Sequence, residues 1–181
     1  PPLHFRFMKT YLSASAACAV LCLFLSLPAN AADTATYAVS VGPRIHSDHS
    51  TFIDLPYGDN DIGYDLALEA HDEDGYARLG VEYAPDVSGI DGTDFVITPH
   101  IDIIYQDRIF IGGVGLLDSY VNNSTGDDWT GIYWQLNLGL SFNFEVITVA
   151  AQAYYTFDKW GDISDFETKD LEYGATIAYN F

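Results

Sequence analysis

Cationic residues are scarce in this chain of 181 residues: 7 Lys plus Arg stand against 26 Asp plus Glu, and the formal charge is −19. A protein that neutralises nucleic-acid phosphates needs clustered Lys and Arg side chains, so this composition excludes a nucleic-acid partner. Disorder is excluded too, because acidic disordered chains are poor in aromatic residues, whereas this one has 13 Tyr, 11 Phe and 3 Trp. Composition and length together predict a single folded domain.

Long apolar runs are also missing. The longest, from about Ala14 to Leu27, is shorter than the roughly 20 residues that a membrane-spanning helix needs. It follows Met8 and precedes the small-residue triplet Ala29-Asn30-Ala31, which is the arrangement of a secretory leader. We predict a signal peptide over residues 8–31, cleaved after Ala31, with an uncleaved membrane anchor as the alternative.

Cysteine is nearly absent. Cys18 and Cys22 both lie in the predicted leader, so the predicted exported part, residues 32–181, has no disulfide. Residues 1–7 precede the only Met, and we expect them to be an extension upstream of the true start. All 26 acidic residues but only five cations lie in residues 32–181, which gives that part a formal charge of −21.

No helical periodicity follows residue 35. Instead, apolar and polar positions alternate, which is typical of strands whose two faces meet different environments. The clearest case is residues 131–144, where Trp134 and Leu136 share one face and Gln135 and Asn137 the other. The predicted strands cover residues 36–45, 61–72, 76–85, 94–106, 109–121, 131–144, 147–157 and 171–181.

The connections between these strands alternate in length. Tight turns are predicted at 72–75, at 107–108 and at 144–145, and the 107–108 turn would pair Gln106 with Ile109. Long polar loops are predicted near residues 46–60, 86–93, 122–130 and 159–170. This alternation predicts an all-β fold, an eight-stranded antiparallel up-and-down β-barrel whose two ends face different compartments.

Aromatic residues mark both ends of the apolar strand faces. Tyr64 and Trp134 lie near the long-loop end, Tyr105 and Phe142 lie near the tight-turn end, and aliphatic residues lie between. Two aromatic girdles around an aliphatic band are typical of a lipid-facing barrel surface. The pattern therefore predicts a transmembrane barrel, with a soluble sandwich or a lipocalin-like barrel as the alternative.

The chain resembles the small eight-stranded bacterial outer-membrane barrels, the group that includes the OmpA transmembrane domain, OmpX and the opacity proteins. The resemblance covers residues 36–181 and is most specific at the last strand, where Ile177, Tyr179 and Phe181 alternate. Length and acidity are also similar to YfaZ-type barrels. The resemblance implies residence in the outer membrane and insertion by the barrel-assembly machinery through Phe181; it implies no particular activity.

The inward faces carry charged residues, and an eight-stranded barrel is only wide enough for side chains to fill it. A symmetric 72–75 turn puts Glu69 opposite Arg78 and Asp65 opposite Glu82, and we expect Arg44 to bridge that like-charge pair. We predict a salt-bridged plug, with a gated cation path lined by Asp65, Glu82 and Asp102 as the alternative. The predicted lumen network consists of Arg44, Asp65, Glu69, Arg78, Glu82, His100 and Asp102.

Chemistry-bearing residues elsewhere give weaker signals. Ser47 lies among histidines and acids on the first long loop, but neighbours on a loop have no reason to form a catalytic triad, so we predict no catalytic residues and no resident cofactor. Zn²⁺ or Cu²⁺ could bind the histidines, and Ca²⁺ or Mg²⁺ could bind the acidic loops weakly; the alternative is a solvated charge layer. The metal candidates are His46, Asp48, His49, Asp59, Asp61, Asp127 and Asp128.

The function predicted first is non-enzymatic: a monomeric structural barrel whose acidic loops contact outer-membrane lipid, lipopolysaccharide, ions or other cells. The second is a narrow, porin-like channel for small cations or hydrophobic solutes. The third is a hydrolase at the barrel rim.

Overall fold

A computed structural model describes residues 36–47 and 55–181. The predicted signal peptide (8–31) and upstream extension (1–7) lie outside the described residues, as do Asp48 and His49. Two short 3₁₀ segments, Trp160–Asp165 and Thr168–Asp170, precede the last strand. The strands are β1 (Thr36–Ile45), β2 (Ile62–Asp72), β3 (Gly75–Pro85), β4 (Thr93–Asp107), β5 (Phe110–Asn123), β6 (Asp128–Phe144), β7 (Ile147–Phe157) and β8 (Glu172–Asn180).

The strands form a closed barrel. Each pairs antiparallel with its neighbours in the chain, and β8 pairs with β1 to close the sheet. Phe181 and Tyr37 exchange two backbone hydrogen bonds, of 2.8 and 3.3 Å, beside this seam. The predicted eight-stranded up-and-down barrel is therefore confirmed. Among the residues that the structure describes, no helix is long and apolar enough to cross a membrane.

The turn between β4 and β5 differs from the predicted one. Asp107 pairs with Phe110 and Gln106 with Ile111, so the predicted pairing of Gln106 with Ile109 is wrong by two positions. The two turn residues are Arg108 and Ile109. Arg108 has a φ of 56°, a left-handed conformation that a tight hairpin turn needs at such a position.

The barrel has polar and charged side chains inside and apolar side chains outside. On β4, Thr98, His100 and Asp102 point inward and are buried, whereas Ile103 and Tyr105 are 60% and 62% exposed on the outer surface. This alternation follows from the period of two along a strand.

The sequence predicts charged inward faces along the lumen, but parts of the lumen are apolar. A buried apolar cluster at the tight-turn end consists of Tyr76, Ile104, Ile111 and Ala150. A second, at the long-loop end, consists of Leu55, Tyr57, Ala84, Val87, Val96, Leu117, Val121 and Tyr133. The charged residues form a band between these two clusters.

Candidate functional site

The band contains two groups of four charged side chains. The upper quartet, nearer the long loops, consists of Arg44, His46, Glu82 and Glu172. Arg44 forms an ion pair with Glu172, and its Nη1 lies 3.7 Å from Glu82 Oε2. Arg44 is on β1, Glu82 on β3 and Glu172 at the start of β8, so the upper quartet connects the strands on both sides of the barrel seam.

His46 follows β1 directly and continues its inward face. Its Nε2 lies 2.5 Å from Glu82 Oε1, and its Nδ1 lies 2.8 Å from Glu172 Oε1. A carboxylate can only accept, so both ring nitrogens donate only if the imidazole is doubly protonated. Burial disfavours that charge, but the two carboxylates outweigh burial and raise the pKa of His46 to about 9.

Residues 55–61, the described end of the first long loop, lie in the barrel mouth over the upper quartet. Tyr57 stacks on His46 with ring centroids 3.6 Å apart and planes within 3°. Its hydroxyl lies 2.5 Å from Thr98 Oγ1, and burial together with the charge of Glu82 raises the pKa of Tyr57 well above its usual value. The phenol therefore stays neutral.

Asp61 fixes this inserted loop. Its carboxylate accepts hydrogen bonds from the backbone N–H of Gly58 (2.6 Å) and from the N–H and hydroxyl of Ser88 (both 2.8 Å). Asp61 thereby joins the first loop to the second, and Leu55 to Gly58 remain buried between them. Described residues of the first two long loops therefore fill part of the barrel mouth.

The lower quartet consists of Arg78 with Asp65, His100 and Asp102. Arg78 forms an ion pair with Asp65, while His100 Nε2 lies 2.8 Å from Asp65 Oδ1 and His100 Nδ1 lies 2.9 Å from Asp102 Oδ2. Gln135 Nε2 also donates to Asp102, at 3.1 Å. As in the upper quartet, two cations face two anions when the histidine is protonated.

Two glycines make room for the quartets. A Cβ at Gly63 would collide with the Glu82 carboxylate, and a Cβ at Gly80 would collide with the His100 ring. Gly63 pairs with Arg44, and Gly80 pairs with His100. The sequence therefore places residues without side chains beside the positions where the quartet members lie.

The space between the quartets is small. A cavity of about 10 Å³ lies among Arg44, Arg78, His100, Gln135 and Tyr154, which gives room for about one water molecule. The Arg44 guanidinium lies over the Tyr154 ring at 4.3 Å from its centroid. The charged groups around this cavity bind each other.

All seven residues of the predicted lumen network are buried, and some of their partners differ from the predicted ones. The register puts Glu69 opposite Arg78 and Asp65 opposite Glu82, as expected from a symmetric turn. The expected bridge from Arg44 to both Asp65 and Glu82 is wrong, because Asp65 is bound by Arg78 and His100. Glu69 instead accepts from His71 at 2.8 Å.

Three residues of this site are absent from the predicted lumen network of seven: His46, Glu172 and Tyr57. His46 is predicted only as a metal candidate on the first long loop, and the sequence pattern does not single out Tyr57. His46 continues the inward alternation of β1 two residues after Arg44, which is a signal that could have identified it. Nothing in the sequence pattern indicates that Tyr57 turns inward, because no strand period extends to that loop.

The five metal candidates that the structure describes, His46, Asp59, Asp61, Asp127 and Asp128, do not form a metal site. Among the described residues, no group of three or more His, Cys, Asp or Glu side chains is arranged to hold a metal ion. Asp59 is exposed, and the Asp61 carboxylate accepts the hydrogen bonds that join the first loop to the second. Asp127 accepts from the Tyr120 hydroxyl and the Asn122 amide, while Asp128 accepts from the backbone N–H of the next residue.

Comparison with known proteins gives a likeness of fold. No protein-family model matches the chain. No curated protein matches its sequence. Among solved structures, Neisserial surface protein A (NspA) is 13% identical, with 81% of this chain and 96% of that chain covered and a TM-score of 0.49. Ail, the attachment invasion locus protein of Yersinia pestis, is 12% identical, with 81% and 97% covered and a TM-score of 0.36. At these identities the chain is similar to both in fold alone.

Proposed function

We propose that the protein is an integral outer-membrane β-barrel with a sealed, self-neutralised lumen and a structural and surface-interaction role. The observation that carries this proposal is the inverted polarity of the barrel. Charged groups such as Glu82 and Asp102 are 2% and 1% exposed in its centre, whereas Leu138 is 69% exposed on its outside.

The outer surface suits hydrocarbon. Exposed aliphatic residues occupy the middle of the strands, as at Leu66 and Leu68, and exposed rings lie nearer the strand ends, as at Tyr64, Tyr105 and Phe144. Soluble monomers rarely expose continuous apolar patches larger than a few hundred Å². Because this surface runs round the whole barrel, a lipid environment accounts for it and an aqueous one does not.

The lumen supports a structural role over a channel. Both quartets balance their own charge, the cavity between them holds about one water, and apolar clusters cover both ends of the band. A conducting path would need the quartets and the inserted first loop to rearrange together. The buried charges of both quartets are paired with one another in the described part of the lumen, which supports a structural and non-enzymatic role.

The remaining parts of the proposal concern export and partners. The leader is cleaved near Ala31, and the alternating Ile177, Tyr179 and Phe181 serve the barrel-assembly machinery. The monomer then lies in outer-membrane lipid, with its long acidic loops outside as a solvated charge layer beside lipopolysaccharide.

Two measurements test this proposal. A folded small barrel resists SDS until it is boiled and then changes its mobility in a gel, so a chain whose mobility is the same with and without boiling would contradict the membrane assignment. In planar bilayers we expect no steady conductance. A steady, cation-selective conductance would replace the structural role with transport.

A further inference from the structure

The loop between β7 and β8 turns outward, whereas the first loop turns inward. Trp160 packs against Trp134 and Phe157, with ring centroids 5.1 and 5.2 Å apart. Phe166 packs edge-on against Tyr155 at 5.1 Å. Trp134 and Tyr155 belong to the outer faces of β6 and β7, because their sequence neighbours on either strand point into the lumen. The loop therefore covers part of the barrel exterior.

Trp160 and Phe166 together form what we call the aromatic foot. They remain 52% and 44% exposed, while Phe157, which Trp160 contacts, is 1% exposed. The first loop shows the opposite arrangement, since Leu55 and Tyr57 are 4% and 2% exposed in the barrel mouth. Exposed tryptophan and phenylalanine side chains are costly in water but favourable where an apolar phase begins.

We propose that the aromatic foot lies in the interfacial layer of the outer leaflet and anchors this loop to lipid. The proposal rests on the proposed membrane-spanning barrel. The partner that the aromatic foot contacts is lipid, at the level of the headgroups and the upper acyl chains. This follows because the aromatic foot is continuous with the exterior face of the barrel through Trp134 and Tyr155. Indole and phenyl rings favour that layer, and a short segment with rings on one side can lie along it.

Tryptophan fluorescence in vesicles tests the anchor directly. Two variants of the full chain leave one tryptophan each: Trp129→Phe with Trp134→Phe leaves Trp160, and Trp129→Phe with Trp160→Phe leaves Trp134. Each is inserted into phosphatidylcholine vesicles with bromine near the headgroup end or near the middle of the acyl chains. We expect the shallow bromines to quench Trp160 more than the deep ones do, and aqueous iodide to quench it only weakly.

The Trp134 variant separates the two possible failures. If lipid bromines quench Trp134 while only iodide quenches Trp160, the barrel is in the membrane and the anchor is wrong. If neither tryptophan responds to brominated lipid although heat-modifiability shows a folded barrel, the membrane assignment itself fails. If Trp160 is shielded from both bromine and iodide, a second copy of the chain covers the foot, and the lipid anchor is again wrong.

Discussion

The upper and lower quartets use the same set of charges but join different parts of the chain. In the lower quartet, Arg78, Asp65 and His100 come from the consecutive strands β2 to β4, with partners 13 and 35 residues apart. In the upper quartet, Arg44 and His46 reach Glu172 across separations of 128 and 126 residues. One quartet reinforces a local meander, and the other joins the first strand to the last.

Their supporting groups differ as well. The lower quartet has an additional amide donor from Gln135, so Asp102 keeps a partner if one interaction is lost. The upper quartet is covered instead by the ring of Tyr57 and by the loop that Asp61 holds. We infer that the lower quartet mainly sets local register, while the upper quartet stabilises closure of the barrel and the inserted loop.

The largest expected effect follows from removing one charge of the upper quartet. Glu172→Gln keeps the side-chain shape but leaves Arg44 and His46 with one carboxylate, and breaking a buried pair in this way costs about 3–5 kcal/mol. Urea unfolding in lipid vesicles measures the free energy of unfolding. Asp102→Asn is expected to cost less, and the exposed pair of Glu167 and Lys169 supplies the control Glu167→Gln, for which we expect little change. Equal losses for Glu172→Gln and Asp102→Asn would remove the contrast between the quartets.

A pH series examines the upper quartet alone. The pKa of His46 is raised from 6.5 to about 9, so its stabilising charge is fully present below about pH 6.5 and is lost as the pH rises through about 9. At about 1.4 kcal/mol per pKa unit, the total loss is about 3 kcal/mol. The charges that face His46 are Glu82, Glu172 and Arg44, with Tyr57 stacked on its ring.

His46→Gln is expected to flatten this decline in the urea midpoint between about pH 6.5 and about 9. His71→Gln is the matched control, because His71 is partly exposed near the tight-turn end and bonds to Glu69. An equally steep decline in the His46→Gln protein would mean that another group titrates.

Substitutions of Gly63 and Gly80, the two glycines beside the quartets, are expected to lower the free energy of unfolding by an intermediate amount. Gly80→Ala forces a Cβ against the His100 ring, which is held at both nitrogens, and we expect a loss of about 1–3 kcal/mol. Gly63→Ala meets the end of the longer Glu82 side chain and is expected to cost less. Gly161→Ala is the control, since nothing lies within 4 Å of its added Cβ. A larger loss for Gly63→Ala in urea unfolding would show that the upper quartet is the more rigid one.

The smallest expected effect concerns the cover of the upper quartet. Tyr57→Phe keeps the stack on His46 and removes the hydrogen bond to Thr98, at a cost of about 1 kcal/mol. Thr98 still has Ser119 as a partner, at 2.7 Å. Tyr173→Phe, which alters an exposed ring outside the barrel, is the control. Thermal unfolding of both variants measures how much stability the Tyr57 hydroxyl contributes. No difference between them would mean that the hydroxyl contributes nothing to closing the mouth.

The sequence predicts the barrel well, because the period of two is local and each strand shows it on its own. The short turn after Asp72 is enough to give the register that pairs Asp65 with Glu82. The choice of ion-pair partners is not local. The long Arg78 side chain binds Asp65 and not Glu69, the residue directly opposite it. Tyr57 was unpredictable for a related reason: its loop has no period, and its position depends on contacts with residues far along the chain.

The self-balanced quartets also determine where the protein's negative field originates. Because the two groups cancel internally, the excess charge lies at the barrel ends, at positions such as Asp59, Asp91 and Asp158 in the long loops and Asp72 and Glu73 in a tight turn. Such a field steers cationic partners toward the rim from a distance. The rate of their encounter falls as added salt shortens the electrostatic screening length below about 10 Å.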